Sequence, residues 1–211
     1  MMLFPNFSVR SVTFIYSMLL ILVFLITEIV YAANKATLTW YCVLYYSGGK
    51  FTYDISRKGQ VHRLLLPIIL HSGFFHIFWN LLSLYMIGFS IEKAYGYRKY
   101  IALIIFGGIG GNLVSAVIDP YSLGVGASTS LFAIIGALIV WYIYNWNVLG
   151  PMRTQYAIFM FIIIAFTLLN GLLMGGTGID NWGHLGGLIF GILIALILLN
   201  RPETDAKGII R

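Results

Sequence analysis

Six long stretches of the sequence contain no Asp, Glu, Lys or Arg and consist mainly of apolar residues. They cover residues 11–27, 64–91, 100–118, 120–152, 154–179 and 181–200. A helix that crosses a lipid bilayer needs about 20 mostly apolar residues. The pattern therefore predicts an all-α, polytopic membrane protein with six transmembrane helices.

The composition agrees with this prediction. Of the 211 residues, 60% are hydrophobic and 9% are charged, whereas roughly a quarter of the residues in a soluble domain are charged. The first stretch is predicted to be a retained helix, because residues 1–10 carry a single positive charge and no small-residue cleavage site follows. Since no linker divides the chain, we expect one domain over residues 1–211, with a first loop at 34–63 and short cytoplasmic tails at 1–10 and 201–211.

The distribution of basic residues predicts the orientation of the helices. The tails and short loops on one side contain Arg10, Lys93, Arg98, Lys99, Arg153, Arg201, Lys207 and Arg211. The opposite short loops, around Asp119 and Asp180, carry no basic residue. Cytoplasmic loops carry the excess of Lys and Arg, so we expect both termini to be cytoplasmic. The net charge of +6 thus reflects topology, and we expect no nucleic-acid partner.

The first loop is the exception, because it is basic and yet lies on the other side. Its length explains this, since long loops follow the charge rule less strictly. Its segment Trp40–Tyr46 is aromatic and too short to span, so we expect it in the membrane interface, ending at Gly48-Gly49. Cys42 is the only cysteine, which excludes an intramolecular disulfide and a thiolate metal cluster. We expect neither a metal nor a cofactor.

Small residues predict which helices are neighbours. Gly187 and Gly191 form a small-xxx-small pair in the sixth stretch, and such pairs let membrane helices approach closely. His184 lies three residues before Gly187, on the same helical face. In the fourth stretch, Ser128 shares a face with Gly136. We expect these two helices to pack against each other.

Polar residues inside spans are costly unless they are paired or face water, so they mark candidate functional positions. His76 and Asn80 lie four residues apart and share a face of the second helix. The pair could bind an anion as hydrogen-bond donors. It could equally form hydrogen bonds to neighbouring helices, and the spacing alone favours this second interpretation.

The other candidates begin the fourth and sixth helices. Ser128, Thr129 and Ser130 follow a glycine-containing loop, and helix capping suits all three hydroxyls about equally. The alternative is a nucleophilic serine, because a helix N-terminus favours developing negative charge. His184, near the start of the sixth helix, is by itself most simply a buried structural histidine.

Topology connects these candidates. The starts of the second, fourth and sixth helices lie on the same, non-cytoplasmic side, so His76, Asn80, Ser128 and His184 can converge at one depth. Such a set combines a nucleophile, a base and oxyanion donors, which are the parts that acyl transfer requires. No zinc or phosphate motif competes with it.

From about residue 63 to 191, the sequence resembles the rhomboid family of intramembrane serine proteases. The second helix resembles the family's motif over residues 70–80, LHSGFFHIFWN. The other matching positions are Gly88, Glu92 and Gly96 of Gly-x-x-x-Glu-x-x-x-Gly, Gly111-Asn112 and Ser115 of the third helix, Gly126-Ala127-Ser128 of Gly-x-Ser, and His184, Gly187 and Gly191 of His-x-x-Gly-x-x-x-Gly.

The resemblance implies a rhomboid-like bundle in which Ser128 is the nucleophile and His184 is the base, without an acidic third member. It further implies that His76, Asn80 and the backbone N–H of Ser128 form the oxyanion hole. Phe132 occupies the place of an aromatic residue that packs on the catalytic histidine in many members. The implied activity is a serine endopeptidase that cleaves transmembrane substrate proteins within or near the lipid bilayer.

Two positions depart from the family pattern. Thr129 replaces the last Gly of Gly-x-Ser-Gly, which adds bulk beside the nucleophile, and the first-loop Trp-Arg pair reads His62-Arg63. The chain also shows no added seventh span. We expect it in the plasma membrane or an endomembrane such as the Golgi, in preference to the mitochondrion.

Two other functions fit parts of the pattern. A catalytically inactive rhomboid-like protein would bind membrane clients, but such relatives typically lack the serine, the histidine or both, and this chain has both. A transporter requires a charged relay at mid-membrane, whereas Glu28 and Glu92 lie near the ends of spans.

Overall fold

A computed structural model of the protein describes residues 9–146, 154–155, 157–158, 161–162, 164–165 and 180–198. Its principal helices are α1 (Val12–Asn34), α2 (Trp40–Tyr46), α3 (Thr52–Lys58), α4 (Phe74–Tyr95), α5 (Tyr97–Ile118), α6 (Ser128–Tyr144) and α7 (Asn181–Leu198). Short 3-10 turns at Val61–Leu64 and Leu66–Ile69 precede α4, and π-helical segments occur within α4 at Leu84–Gly88 and within α5 at Leu103–Gly107.

Four of these helices, α1, α4, α5 and α7, are long and apolar enough to cross a membrane, and α6 is an apolar helix of 17 residues. Large apolar side chains such as Ile29, Phe75 and Ile197 are exposed on them, as lipid-facing side chains are. The protein is therefore an all-helical, polytopic integral membrane protein, as predicted. The predicted fifth span, 154–179, and most of the two predicted tails lie outside the described residues, so the count of six spans stays a prediction.

Two helices begin well after the start of their charge-free stretches, because the absence of charge does not by itself make a helix. The second stretch starts at residue 64, but α4 begins only at Phe74, after Gly73 with φ 151°. The fourth stretch starts at residue 120, but α6 begins only at Ser128, after Gly126 with φ 134°. Glycine adopts these φ values readily, and they are incompatible with a right-handed helix.

Among the described helices, α6 and α7 pack most closely. A Cβ atom at Gly136 of α6 would lie 2.5 Å from the carbonyl oxygen of Leu188 and 2.8 Å from the nitrogen of Ile192, both in α7. From the other side, a Cβ at Gly191 would collide with Ala133 of α6. Because both glycines lack a Cβ, the two backbones come into direct contact. The predicted pairing of these helices is confirmed.

The carboxylate of Glu92, in the last two turns of α4, caps the N-terminus of α1. Its Oε1 accepts the N–H of Val12 at 2.7 Å, and its Oε2 accepts the N–H and the hydroxyl of Thr13 at 2.9 and 2.7 Å. A carboxylate at a helix N-terminus satisfies unpaired N–H groups and complements the helix dipole. Glu92 therefore fastens the first helix to the end of α4.

The first loop is ordered by an ionic network around the buried carboxylate of Asp54. Its carboxylate accepts the hydroxyl of Tyr45 at 2.5 Å and pairs with Lys58 at 2.8 Å and Arg63 at 3.5 Å. The bonds from Lys58 and Tyr45 hold the pKa of the Asp54 carboxyl below its usual value. Arg63 also donates to the carbonyl oxygens of Tyr45 and Gly49, each at 2.8 Å. Part of the loop's positive charge thus has a structural use.

Candidate active site

Ser128 and His184 meet at the starts of two adjacent helices. Ser128 is the first residue of α6 and His184 is the fourth of α7. The serine Oγ lies 2.8 Å from the histidine Nε2, which is hydrogen-bond distance. Phe132, one turn after Ser128, stacks on the imidazole with the ring centroids 4.5 Å apart and the planes 7° apart.

Stacking on Phe132 orients the His184 ring, and a hydrogen bond fixes the backbone that carries it. A histidine that accepts the Ser128 hydroxyl proton on Nε2 carries its own hydrogen on Nδ1. That Nδ1 is buried, and none of the described residues provides a hydrogen-bond partner for it. The backbone N–H of His184 donates to the carbonyl oxygen of Asp180 at 3.0 Å. Phe132 and the first turn of α7 therefore hold the imidazole in place.

His76 faces the loop that leads to Ser128. A Cβ atom at Gly126 would lie 2.7 Å from the Nε2 of His76 and 3.3 Å from the Oγ of Ser128, so a side chain at position 126 would fill the space between them. The backbone N–H of Ser72 contacts the Nδ1 of His76 at 3.4 Å. An N–H group can only donate, so Nδ1 is the acceptor and Nε2 carries the hydrogen. His76 thus presents an N–H donor toward the space beside Ser128.

Asn80 lies one turn after His76 on the same face of α4, as the four-residue spacing predicted, and it is buried. Its Nδ2 donates one hydrogen to the carbonyl oxygen of His76 at 2.7 Å. The second hydrogen of this amide is left for another acceptor, and its Oδ1 has no partner among the described residues. The N–H of Ser128 lies in the first turn of α6, where no acceptor within the helix exists.

Several backbone contacts hold the loop before Ser128. Gly124 exchanges two hydrogen bonds with Lys50 of the first loop, at 2.8 and 3.0 Å. The N–H of Gly126 donates to the carbonyl oxygen of Pro67 at 2.9 Å, and the N–H of Ala127 donates to the Nε2 of His71 at 3.4 Å. His71 is a polar residue within the apolar second stretch. Its contact with Ala127 was not predicted.

The chain matches a known protein family over most of its length. The model of the rhomboid domain matches residues 58–201, which is more than half of the chain. The chain belongs to the rhomboid family. Relatives include Rhomboid-like protease 1 of Toxoplasma gondii, which is 36% identical over 97% of this chain and 69% of its own length.

Two bacterial relatives are also rhomboid proteases by name. Rhomboid protease GluP of Bacillus subtilis (strain 168) is 33% identical over 93% of this chain and 36% of its own length. Rhomboid protease AarA of Providencia stuartii is 33% identical over 74% of this chain and 62% of its own length. This rhomboid chain thus spans little more than a third of the Bacillus protein.

The three hydroxyls that the sequence left open as caps have different surroundings in this rhomboid. Ser130 is fully buried and donates to the carbonyl oxygen of Ile104 in α5 at 2.7 Å. Thr129 is buried and points its methyl group at α7, where a Cβ on Gly183 would lie 3.0 Å from it. Ser128 is the hydroxyl that meets His184. The bulk of Thr129 is therefore accommodated away from Ser128, against a glycine.

A charged cluster that the sequence did not predict lies beside the site. The Nζ of Lys50 donates to the Oγ of Ser115 at 2.5 Å, and that hydroxyl donates to the carboxylate of Asp180 at 2.6 Å. Lys50 and Asp180 themselves are 3.7 Å apart, with the lysine side chain fully buried. Burial lowers the pKa of the Lys50 ammonium, and Asp180 and Asp119 oppose that shift. Among the described residues, no group of three or more His, Cys, Asp and Glu side chains could hold a metal ion.

Proposed function

We propose that this rhomboid is an intramembrane serine endopeptidase that cleaves transmembrane protein substrates within or near the bilayer through a Ser128–His184 dyad. The contact of 2.8 Å between the serine Oγ and the histidine Nε2 is the observation that carries the proposal. A serine at its free pKa is a weak nucleophile, and an adjacent base activates it. Membership of the rhomboid family and the names of its relatives support the same activity.

The reaction proceeds in two steps. Ser128 Oγ attacks the carbonyl carbon of the scissile peptide bond while His184 Nε2 takes the hydroxyl proton. The imidazolium then gives that proton to the leaving amine, which departs and leaves an acyl-enzyme on Ser128. A water molecule attacks this ester with His184 again as the base, and Ser128 recovers its proton as the acid product leaves.

The negative charge on the tetrahedral intermediates is stabilised by donors on α4 and α6. The donors are His76 through Nε2–H, Asn80 through its second amide hydrogen, and Ser128 through its backbone N–H. The positive end of the α6 dipole adds to them. Such fixed donors contribute most in a site from which bulk water is excluded.

The substrate must expose a peptide bond inside a membrane. A transmembrane helix has all of its backbone groups hydrogen-bonded internally, so it has to unwind locally before Ser128 can reach a carbonyl. Segments with small or helix-breaking residues unwind most easily and are the preferred cleavage sites.

The site opens toward the non-cytoplasmic side, and both termini are cytoplasmic. In a Cys42→Ser background, Arg57→Cys in the first loop should react with a membrane-impermeant maleimide in intact cells. Lys93→Cys, in the last turn of α4, should react only after the cells are opened. Both positions are exposed in the folded chain. The reverse pattern of labelling would contradict this orientation.

The direct test is proteolysis in liposomes. Purified protein is incubated with a panel of single-span substrates beside its Ser128→Ala and Ser130→Ala forms. The proposal expects cleavage by the parent and by Ser130→Ala, and none by Ser128→Ala. Equal cleavage by the parent and Ser128→Ala would overturn it, as would binding of every substrate by a folded parent without any cleavage.

A further inference from the structure

We propose that Lys50, Ser115 and Asp180 form a buried bridge that positions Ser128 and His184 relative to each other. The inference rests on the proposed function of that dyad. The bridge comes from three separate parts of the chain: Lys50 from the first loop, Ser115 from α5 and Asp180 from the residue before α7. It links the loop that leads to Ser128 with the first turn of α7, which carries His184.

Asp180 controls the start of α7. Its Oδ1 accepts the N–H of Gly183 at 2.8 Å, and its carbonyl oxygen accepts the N–H of His184 at 3.0 Å. The residue therefore fixes both the residue before the histidine and the histidine itself. Its carboxylate cannot move without moving the first turn of α7. A Cβ on Gly183 would lie 2.8 Å from Asp180 Oδ2, so the carboxylate packs directly against this turn.

Lys50 controls the loop before α6. Its backbone pairs with that of Gly124, four positions before Ser128, through hydrogen bonds of 2.8 and 3.0 Å. Its side chain runs past Gly124, where a Cβ atom would lie 3.0 Å from Lys50 Cε and 3.2 Å from Asp180 Oδ2. One residue thus bonds the serine loop through its backbone and the α7 cluster through its ammonium group.

Ser115 completes the bridge. Its hydroxyl accepts from the Lys50 ammonium and donates to the Asp180 carboxylate, so the order along the chain of bonds is ammonium, hydroxyl, carboxylate. A second hydroxyl, that of Ser122, accepts from Lys50 at 3.0 Å. The two opposite charges are therefore both hydrogen-bonded, which a buried pair requires.

Such a bridge contributes more to the placement of the reacting groups than to the stability of the fold. A buried ion pair usually adds little net stability, because desolvation of the charges offsets their attraction. A displacement of about 1 Å between reacting groups, by contrast, can lower a rate by about 100-fold. Lys50 bonds to Ser115, Ser122 and Gly124 and pairs with Asp180, and of the three bridge residues Asp180 alone is bonded to the dyad, through the backbone N–H of His184. Lys50, Ser115 and Asp180 therefore act through the backbone that carries the dyad and are positioning residues.

The test compares Lys50→Met, Asp180→Asn and the double variant Lys50→Met/Asp180→Asn in liposomes. Lys58→Met is the matched control, since Lys58 also pairs with a buried aspartate, Asp54, but that ion pair lies within the first loop and is not part of the bridge. For each protein we would measure kcat and KM, the rate of fluorophosphonate labelling of Ser128, and resistance to unfolding.

Each single variant leaves one charge without its ionic partner, either the fully buried Lys50 or the partly buried Asp180, and should lower resistance to unfolding. The double variant removes both charges and should regain most of it, because replacing both partners is far milder than removing one. Its kcat and labelling rate should nevertheless stay about 10- to 100-fold below those of the parent, with KM unchanged. Lys58→Met should keep the parental kcat.

Parental kcat in the folded double variant would overturn the proposal. So would a loss of kcat that merely follows the fraction of unfolded protein. If the double variant does not fold, Ser115→Ala decides, since it keeps both charges: the proposal expects a lower kcat at the parental KM, and an unchanged kcat overturns it. An unlabelled Ser128 in the parent would instead defeat the proposed function, which separates the two failures.

Discussion

The two halves of the candidate site are built on helices that are held in different ways. Ser128 and His184 lie on α6 and α7, whose backbones touch through Gly136 and Gly191. His76 and Asn80 lie on α4, which leaves large aromatic side chains exposed, and the π-helical segment of α4 begins one turn after Asn80.

The difference concerns how much each half can move. Where two backbones are in contact, a shift of either helix produces a clash, so the dyad has one geometry. On α4, the position of His76 depends on a hydrogen bond from Ser72 and on its own helix, and π-helical segments are frequent at functional sites. We therefore expect the dyad half to respond to mutation in an all-or-none manner and the α4 half to respond in degrees.

The largest effect is expected from the dyad. Ser128→Ala and His184→Ala should each lower kcat by about 10⁴-fold or more, because neither group works without the other. The double variant should be no slower than either single one. Cleavage kinetics on one reconstituted substrate measure this. If the two losses of kcat multiply in the double variant, Ser128 and His184 act independently, which would contradict a catalytic dyad.

The α4 half should give the next largest effect. His76→Ala and Asn80→Ala should each lower kcat by about 10²- to 10³-fold, the usual loss for one oxyanion donor. Asn145→Ala is the control for Asn80, because both amides donate to the carbonyl four residues earlier at 2.7 Å. If Asn80→Ala and Asn145→Ala change stability alike and leave kcat intact, Asn80 serves only as a bond within its helix.

Packing between α6 and α7 should be sensitive to a single methyl group. Gly136→Ala places its Cβ against the α7 backbone, and overpacking of this kind typically costs about 1–3 kcal/mol. The free energy of unfolding in mild detergent measures the effect. Phe75→Ala on α4, at a position that is 75% exposed, should change it by no more than about 0.5 kcal/mol. Equal losses in the free energy of unfolding for Gly136→Ala and Phe75→Ala would contradict the expected difference between the α6–α7 packing and α4.

The smallest effect is expected at Thr129. Its methyl group packs toward Gly183, and its hydroxyl has no partner among the described residues, so Thr129→Ala and Thr129→Gly should keep kcat within about 10-fold of the parent. Ser130→Ala is the comparison variant for the loss of a hydroxyl group, because it removes a buried hydrogen bond to the carbonyl oxygen of Ile104. Complete loss of cleavage in Thr129→Ala would give this residue a chemical role.

Local sequence features predicted much of this arrangement. The glycine spacing of the sixth stretch predicted the contact between α6 and α7. The predicted break at Gly48 lies just after the end of α2 at Tyr46. The positions of Ser128 and His184 at helix starts followed from the loops that precede them. Each of these depends on residues close together in sequence, where periodicity and loop chemistry carry the information.

The remainder depended on pairs that are distant in sequence. Lys50 and Ser115 are 65 positions apart, and Thr13 and Glu92 are 79 apart, so no local pattern connects them. A lysine in a long loop was counted as an exception to the charge rule, although its side chain is buried against Asp180. Such contacts follow from tertiary packing, which one sequence does not reveal.

The central claim is that Ser128 is the nucleophile and His184 activates it. The most direct measurement is to label the reconstituted protein with a fluorophosphonate and to map the modified residue by mass spectrometry. The account predicts modification at Ser128 in the parent, none in Ser128→Ala, and a sharply slower reaction in His184→Ala. Modification of Ser130, or labelling of His184→Ala at the parental rate, would contradict it.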